Sequence, residues 1–308
     1  MSEQYPAQNL EIECIQVDSC LERTRIYDFL LGKLESITSR KGIKKALSRN
    51  QIYLNGVLAK SGDYVQLGDV IKVYENQTIA YKAFEIELNV IFEDNELAVV
   101  EKPAGIPVSG NTFKTLQNAL PNHLQKSTTK DYLPIPLPVH RLDAPTHGIV
   151  IVAKTHGSRV ALGRMFENRE LTKYYTAIVQ GQLEGKGQLN TKIEEKSALT
   201  YFKSIAVFPS VRNEWISLLE LSPFTGRKHQ LRIHLARLGF PIVGDQAYGK
   251  KGVTLKHKGL FLAATGISFH HPKTNKKLHF EIEAPNKFNR FLEREKRWVE
   301  RIEKQKGL

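Results

Sequence analysis

From Arg25 onward the apolar positions recur every three or four residues. Ile26, Phe29, Leu30, Leu34 and Ile37 form one stripe, which predicts a helix running to Thr38-Ser39. Ser39 can cap a second helix over Lys41 to Ser48, with Ile43, Ala46 and Leu47 on one face. Arg40, Lys41, Lys44, Lys45 and Arg49 fall on its other faces. The pattern then changes to that of short strands. Gln51 to Leu54 enters Asn55-Gly56, a pair suited to a two-residue hairpin turn, and Val57 to Ala59 leads out. Gly68-Asp69 marks a further turn before a strand over Val70 to Tyr74. Residues 1 to about 12 read as a loose polar tail, and residues 76 to 86 as a linker in which Phe84 to Val90 can already belong to a strand.

Beyond Asn89 the apolar runs are longer. Leu97 to Val100 suits a buried strand that ends at Lys102-Pro103-Ala104-Gly105, and Pro134, Pro136 and Pro138 keep the chain extended up to His140. Ile149 to Ala153 reads as a central strand, followed by a helix over Ser158 to Glu167 with Val160, Leu162 and Met165 apolar. Tyr174 to Val179 and Ile216 to Leu221 predict two more strands, and Pro272 to Asn275 a hairpin turn. Asn286 to Lys306 predicts a charged helix along which Phe288, Phe291, Leu292, Glu295, Trp298, Val299 and Ile302 recur, a stripe that would dock on the main domain. Strands mixed with a few helices, without strand–helix–strand alternation, give an α+β class with a mainly antiparallel mixed sheet, preceded by a small α/β domain. The expected divisions are residues 13–76, a linker at 77–88, a main domain at 89–290 and the terminal helix at 286–308.

Composition narrows the function. The 308 residues are 41% hydrophobic and 25% charged, enough for two domains with full cores. Lys and Arg number 45 against 32 Asp and Glu, a net charge of +13 that favours a polyanionic partner such as nucleic acid. Met1-Ser2-Glu3-Gln4 does not open a basic-then-apolar leader, and no run approaches the ~18 apolar residues of a membrane span, so a cytoplasmic protein without a membrane partner is expected. Cys14 and Cys20 alone supply neither a disulfide framework nor a zinc site. Walker and dinucleotide glycine patterns are missing, so no nucleotide cofactor is expected.

Two stretches carry chemistry. His140-Arg141-Leu142-Asp143, continuing through Ala144-Pro145-Thr146-His147-Gly148, sets a carboxylate just before the central strand. By itself that Asp could simply shape a turn. Thr225-Gly226-Arg227-Lys228-His229-Gln230-Leu231-Arg232-Ile233-His234 opens a second helix, whose Leu231, Leu235 and Leu238 share one face up to Gly239 and Pro241. A helix N-terminus among cations is an anion site, and an Arg one turn inside it can pair with a carboxylate. His229 and His234 lack the intervening Glu and the thiolates of zinc sites and read as hydrogen-bonded structural histidines, with no metal expected.

The region from about Phe92 to Pro285 resembles the RluA family of pseudouridine synthases. Lys102-Pro103-Ala104-Gly105 is similar to its first motif and His140-Arg141-Leu142-Asp143 with Thr146 and Gly148 to its catalytic motif. Lys173 to Gly181 is similar to its tyrosine strand, Thr225 to His234 with Gly244-Asp245 and Tyr248-Gly249 to its third motif, and Leu260 to Leu262 with Phe269 and His271-Pro272 to its last strand. The resemblance implies an isomerase that flips a uridine out of RNA and rejoins uracil to the sugar through carbon. It makes Asp143 the nucleophile, toward either sugar or base, with Tyr175 and Arg232 as catalytic partners. His140, Arg141, Leu142, Thr146, Arg227, His229, Gln230 and Leu262 would bind the substrate. His147 stands where the family usually has Ser, Ala263 where it commonly has His, and Val108-Ser109-Gly110 departs from the usual end of the first motif; these bear on substrate fit. The first module resembles the RNA-binding module of ribosomal protein S-four, which would make Arg40, Lys41, Lys44, Lys45 and Arg49 RNA contacts. That pairing implies large-subunit ribosomal RNA ahead of transfer RNA, and one complete motif set per chain allows a functional monomer. A non-catalytic RNA-binding or ribosome-assembly protein is the alternative, and a nucleosidase-like hydrolase a more distant one.

Overall fold

The computed structural model describes residues 9–18, 23–76, 84–249 and 258–306. Cys20, the first part of the expected tail, residues 77–83 of the expected linker and the last two residues of the expected terminal helix lie outside them.

In chain order the first unit holds β1 (Asn9–Gln16), β2 (Thr24–Arg25), α1 (Ile26–Leu30), α2 (Arg40–Ser48), β3 (Ile52–Leu54), β4 (Val57–Leu58), β5 (Tyr64–Val65) and β6 (Val70–Asn76). A four-stranded sheet runs β1-β6-β3-β4, and β2 pairs with β5. Ile26, Leu30, Ile43, Ile52, Val65 and Ile71 form its buried core. The Ser39 hydroxyl caps α2 by accepting from the Gly42 N–H, and Asn55 and Gly56 both take the positive φ of the tight hairpin turn. Two expectations are corrected. The first helix stops at Leu30, because Leu31 is extended and Gly32 turns at φ +81; Leu34 is nevertheless buried through the turn that follows. Residues 9–12 belong to a strand, not a loose tail; a register shift between Glu11 and Glu13 breaks the alternation that would have revealed it. Arg40, Lys41, Lys44, Lys45 and Arg49 are all exposed.

The second unit contains β7 (Asn89–Glu93), β8 (Leu97–Lys102), α3 (Leu116–Ala119), β9 (Tyr132–Pro138), β10 (His147–Thr155), α4 (His156–Asn168), β11 (Thr172–Gln180), β12 (Lys186–Asn190), β13 (Leu199–Ser210), β14 (Glu214–Pro223), α5 (Gln230–Arg237), β15 (Leu262–His270), β16 (Lys277–Glu281) and α6 (Lys287–Lys306). Its ten-stranded sheet runs β12-β13-β14-β11-β15-β10-β8-β7, with β9 beside β10 and β16 beside β15. All its ladders are antiparallel except β10 with β15. Strand β10 is buried on both sides, which explains its unbroken apolar run. Ile149, Ile151 and Ala153 pack with Leu162 of α4, while Val150 and Val152 pack with Leu116 and Leu120. Helix α6 docks by Phe288 and Phe291 against Phe261, and its buried Glu295 accepts from the Ser210 hydroxyl at 2.8 Å. Strands β12 and β13 form an arm that the apolar pattern did not predict.

The three strands β10, β15 and β11 bring the site together. His147 and Gly148 pair with Ala263 and Ala264, and Tyr175 pairs with Ala264 from the other side. Gly148 sits at φ +131, where a Cβ would land on the Ala264 backbone, so this close parallel contact requires glycine.

Candidate active site

Asp143 occupies a turn between β9 and β10, closed by the Thr146 N–H donating to the Asp143 carbonyl at 2.9 Å. The turn is anchored from below. The Ala144 carbonyl accepts from the Gly105 N–H at 2.7 Å and from Lys102 Nζ at 3.3 Å. Lys102 has no exposed surface, and its ammonium also donates to the Pro103 and Ile106 carbonyls, each at 2.8 Å. Burial pulls its pKa down to about 8, with the Asp143 charge working the other way. An ammonium with three donors meets three carbonyls, so the Lys-Pro-Ala-Gly loop and the Asp143 turn become one rigid piece.

Above the turn, Arg232 points from the first turn of α5. Its Nε and Nη2 donate to the two oxygens of Asp245, both at 2.8 Å, and Nη1 reaches Asp143 Oδ2 at 3.3 Å. Asp245 is almost fully buried; burial opposes its ionisation, but Arg232 and the Ala247 and Tyr248 N–H groups outweigh that and hold it below the usual carboxylate range. The guanidinium is raised, chiefly by the same Asp245 bond. Arg232 thus makes its two short bonds to Asp245 and only a long one to Asp143. Asp143 therefore has a counter-charge close by without being clamped.

The other Asp143 oxygen faces His229, whose Nε2 lies 3.6 Å from Oδ1. His229 takes φ +54 at the N-cap of α5, and its Nδ1 shares a hydrogen bond with the Tyr248 hydroxyl at 2.9 Å. Burial holds its pKa below the ordinary value against the pull of Asp143.

Two hollows meet at this carboxylate. One, of about 400 Å³, is walled by Tyr175, Leu262, Lys173, Phe166 and Thr146. The other, of about 630 Å³, is bounded by Pro107, Val108, Ser109, Gln246 and Leu260. Burial, reinforced by Asp143, pushes the Tyr175 phenol up, so it remains neutral and offers an aromatic surface and a donor. Arg141 is exposed at the border of both hollows, and Leu142 is buried there.

Some expected substrate contacts have their polar atoms engaged within the fold. His140 Nε2 accepts from the Ile151 N–H at 2.9 Å, its ring stacks on Phe166, and burial lowers its pKa to about 3. Gln230 accepts from the Thr225 hydroxyl and the Arg227 N–H, and donates to the Leu199 carbonyl and the Thr200 hydroxyl. Arg227 donates its Nε to the Ser197 carbonyl. These three shape the wall. His234, bonded to Thr200 and the Thr191 carbonyl, points to the β12–β13 arm rather than to the site. Leu238 is a correction: it caps α5 and is 40% exposed, because the helix ends at Arg237 and Gly239 turns at φ +95. His147, the departure from the family pattern, pairs with Glu101 at 2.8 Å on the flank of the site.

Sequence reading assigned no role to Lys102, Asp245 or Tyr248, although all three stand in the motif stretches. Their signal was position alone; the convergence of carbonyls on Lys102 and the two-point Arg232–Asp245 pair exist only in the fold.

Residues 96–237 match the family described as RNA pseudouridylate synthase. Over 289 residues the chain is 32% identical to an uncharacterized RNA pseudouridine synthase of Aquifex aeolicus, spanning 85% of this chain and 90% of that protein. It is 30% identical over 300 residues to ribosomal large subunit pseudouridine synthase C of Rickettsia felis, spanning 86% of this chain and 95% of that one. The solved structure of human RNA pseudouridylate synthase domain containing 1 shares the fold, with a TM-score of 0.55 at 24% identity over 65% of this chain and 84% of its own. The sequence relationship, joined to a fold that brings Asp143, Tyr175, Arg232 and Leu262 to one hollow, places the chain in the RNA pseudouridine synthase family, as an isomerase that acts on RNA.

Proposed function

We propose that this isomerase converts uridine to pseudouridine in large-subunit ribosomal RNA, with Asp143 as its nucleophile. The observation that carries the reading is the division of labour around Asp143: Arg232 is locked by Asp245 and reaches the carboxylate at 3.3 Å, leaving an oxygen available at the junction of two hollows.

A uridine stacked in RNA must be turned out of the stack, at a cost of roughly a few kcal/mol, which the basic surface offsets. The uracil then enters the hollow between Tyr175 and Leu262. The bond from N1 to the sugar breaks, the ring turns within the hollow, and C5 bonds to the same sugar carbon. The C5 proton leaves and N1 takes one up, so the atoms balance without a cofactor or net hydrolysis. A neutral Tyr175 serves as a stacking surface and donor. Among the described residues no second carboxylate stands opposite Asp143 as a glycosidase acid would; the nearby Asp245 is spent on Arg232. Walls of Leu142, Leu262 and Phe166 keep water from capturing the sugar.

On the same reading residues 13–76 are an S-four-like RNA-binding module that presents Arg40, Lys41, Lys44, Lys45 and Arg49, all exposed, to the RNA backbone. The protein would work in the cytoplasm as a monomer, since Asp143, Tyr175 and Arg232 come from one chain. The test is to incubate the protein with ribosomal and transfer RNA from cells lacking its gene and to map pseudouridine at nucleotide resolution. New pseudouridine in large-subunit RNA supports the reading; conversion confined to transfer RNA overturns its substrate half.

A further inference from the structure

The rim of the smaller hollow carries an aromatic side chain that neither the core nor the chemistry uses. Phe224, between the wall residues Pro223 and Thr225, is 46% exposed. The Arg169 guanidinium lies 5.3 Å from the centre of its ring. Arg169 is exposed and held in the left-handed conformation at the end of α4, three residues beyond Phe166, which lines the hollow. It also lies close enough to Lys173, another wall residue, to join burial in lowering that ammonium's pKa. The pair leaves a ring and a guanidinium accessible together beside the hollow, and in a +13 chain the surrounding cations favour an anionic strand there.

We propose that Phe224 and Arg169 form a stacking platform for a nucleobase next to the flipped uridine, a subsite that fixes the RNA strand at the mouth of the hollow. Every base has a π-face, and aromatic and guanidinium planes are the surfaces on which splayed-out RNA bases stack. Lys228 and Lys173 supply charge for the phosphate that joins this base to the target. Emptying the stack leaves a flipped uridine whose neighbour is free to drag it out again, so the platform acts on binding of the strand and not on the bond-making step. The inference rests on the reading that the chain isomerises uridine in RNA.

The experiment uses a synthetic RNA carrying a uridine that the wild-type protein converts, and two versions with an abasic nucleotide on one or the other side of it. Phe224→Ala is expected to raise KM by roughly five- to a hundredfold, the range of one lost base stack, with kcat little changed. Phe224→Tyr restores KM. Phe224→Leu keeps an apolar side chain without a π-face and does not. On one of the two abasic substrates the KM of the wild type rises to that of Phe224→Ala, and the mutation then has no further effect. An unchanged KM in Phe224→Ala, rescue by Phe224→Leu, or a full mutational penalty on both abasic substrates would overturn the platform while leaving the isomerase reading intact. Failure of the wild-type protein to convert any uridine would remove the parent reading and the platform with it.

Discussion

Asp143 is legible in the sequence as a carboxylate in basic surroundings, but what surrounds it is not. Its three nearest determinants, Arg232, Asp245 and His229, lie far along the chain, and only the fold shows that Arg232 is bound twice by Asp245 before it reaches Asp143. Asp245→Asn should therefore cost stability as well as rate. It removes the nearer of the two counter-charges of a buried guanidinium, a loss of up to about 3–5 kcal/mol in unfolding free energy. With Arg232 displaced by even ~1 Å, turnover should fall by roughly a hundredfold. Urea titration and single-turnover assays check the two halves. His229 adds a pH dependence whose sign follows from its partners. Burial keeps the ring neutral below its ordinary pKa of about 6.5; Arg232, Lys228 and Arg141 push the same way, and Asp143 pushes back. As pH falls through that depressed value the ring protonates, pairs with Asp143 Oδ1 at 3.6 Å and withdraws the carboxylate. The single-turnover rate should drop on the acid side, and His229→Gln should lose that limb. An identical limb in the two proteins would contradict the role given to His229.

The central strands were readable because burial on both faces leaves nothing to alternate: Leu97 to Val100 and Ile149 to Ala153 stand out as apolar runs. Helix α1 was overextended because Leu34 and Ile37 continue a helical spacing that Gly32 interrupts. Strand β13 escaped notice since Lys203, Ser204 and Pro209 dilute its apolar positions, and most of it is only partly covered. Close contacts between strands were invisible as well. Gly148 and Gly244 look like ordinary turn glycines, yet a Cβ at the first would strike the Ala264 backbone and at the second the Gly259 carbonyl. Each, replaced by Ala, should lose about 1–3 kcal/mol by overpacking alone. Gly163, inside α4 with open space where a methyl group would stand, should instead gain about 0.5–1 kcal/mol as Ala. Urea midpoints of the three variants test the contrast; equal shifts would mean that the parallel β10–β15 contact is not tight.

Charge unites the two units of the chain. Its excess of +13 makes salt the most informative variable for binding. Replacing Arg40, Lys44 and Lys45 by Ala should weaken RNA binding and flatten the log–log salt slope by about 2, since each lost phosphate contact removes ~0.7–0.9. An unchanged slope would mean that α2 is not an RNA face. The family relationship accounts for the reaction class, and on the proposed reading the Asp143 turn is where it takes place. The most direct measurement compares wild type with Asp143→Asn on the mapped ribosomal RNA, following pseudouridine formation and RNA affinity together. Pseudouridine should vanish in the variant while affinity stays within about threefold, because the lost group acts in the transition state. Substantial pseudouridine formation by Asp143→Asn would contradict the account.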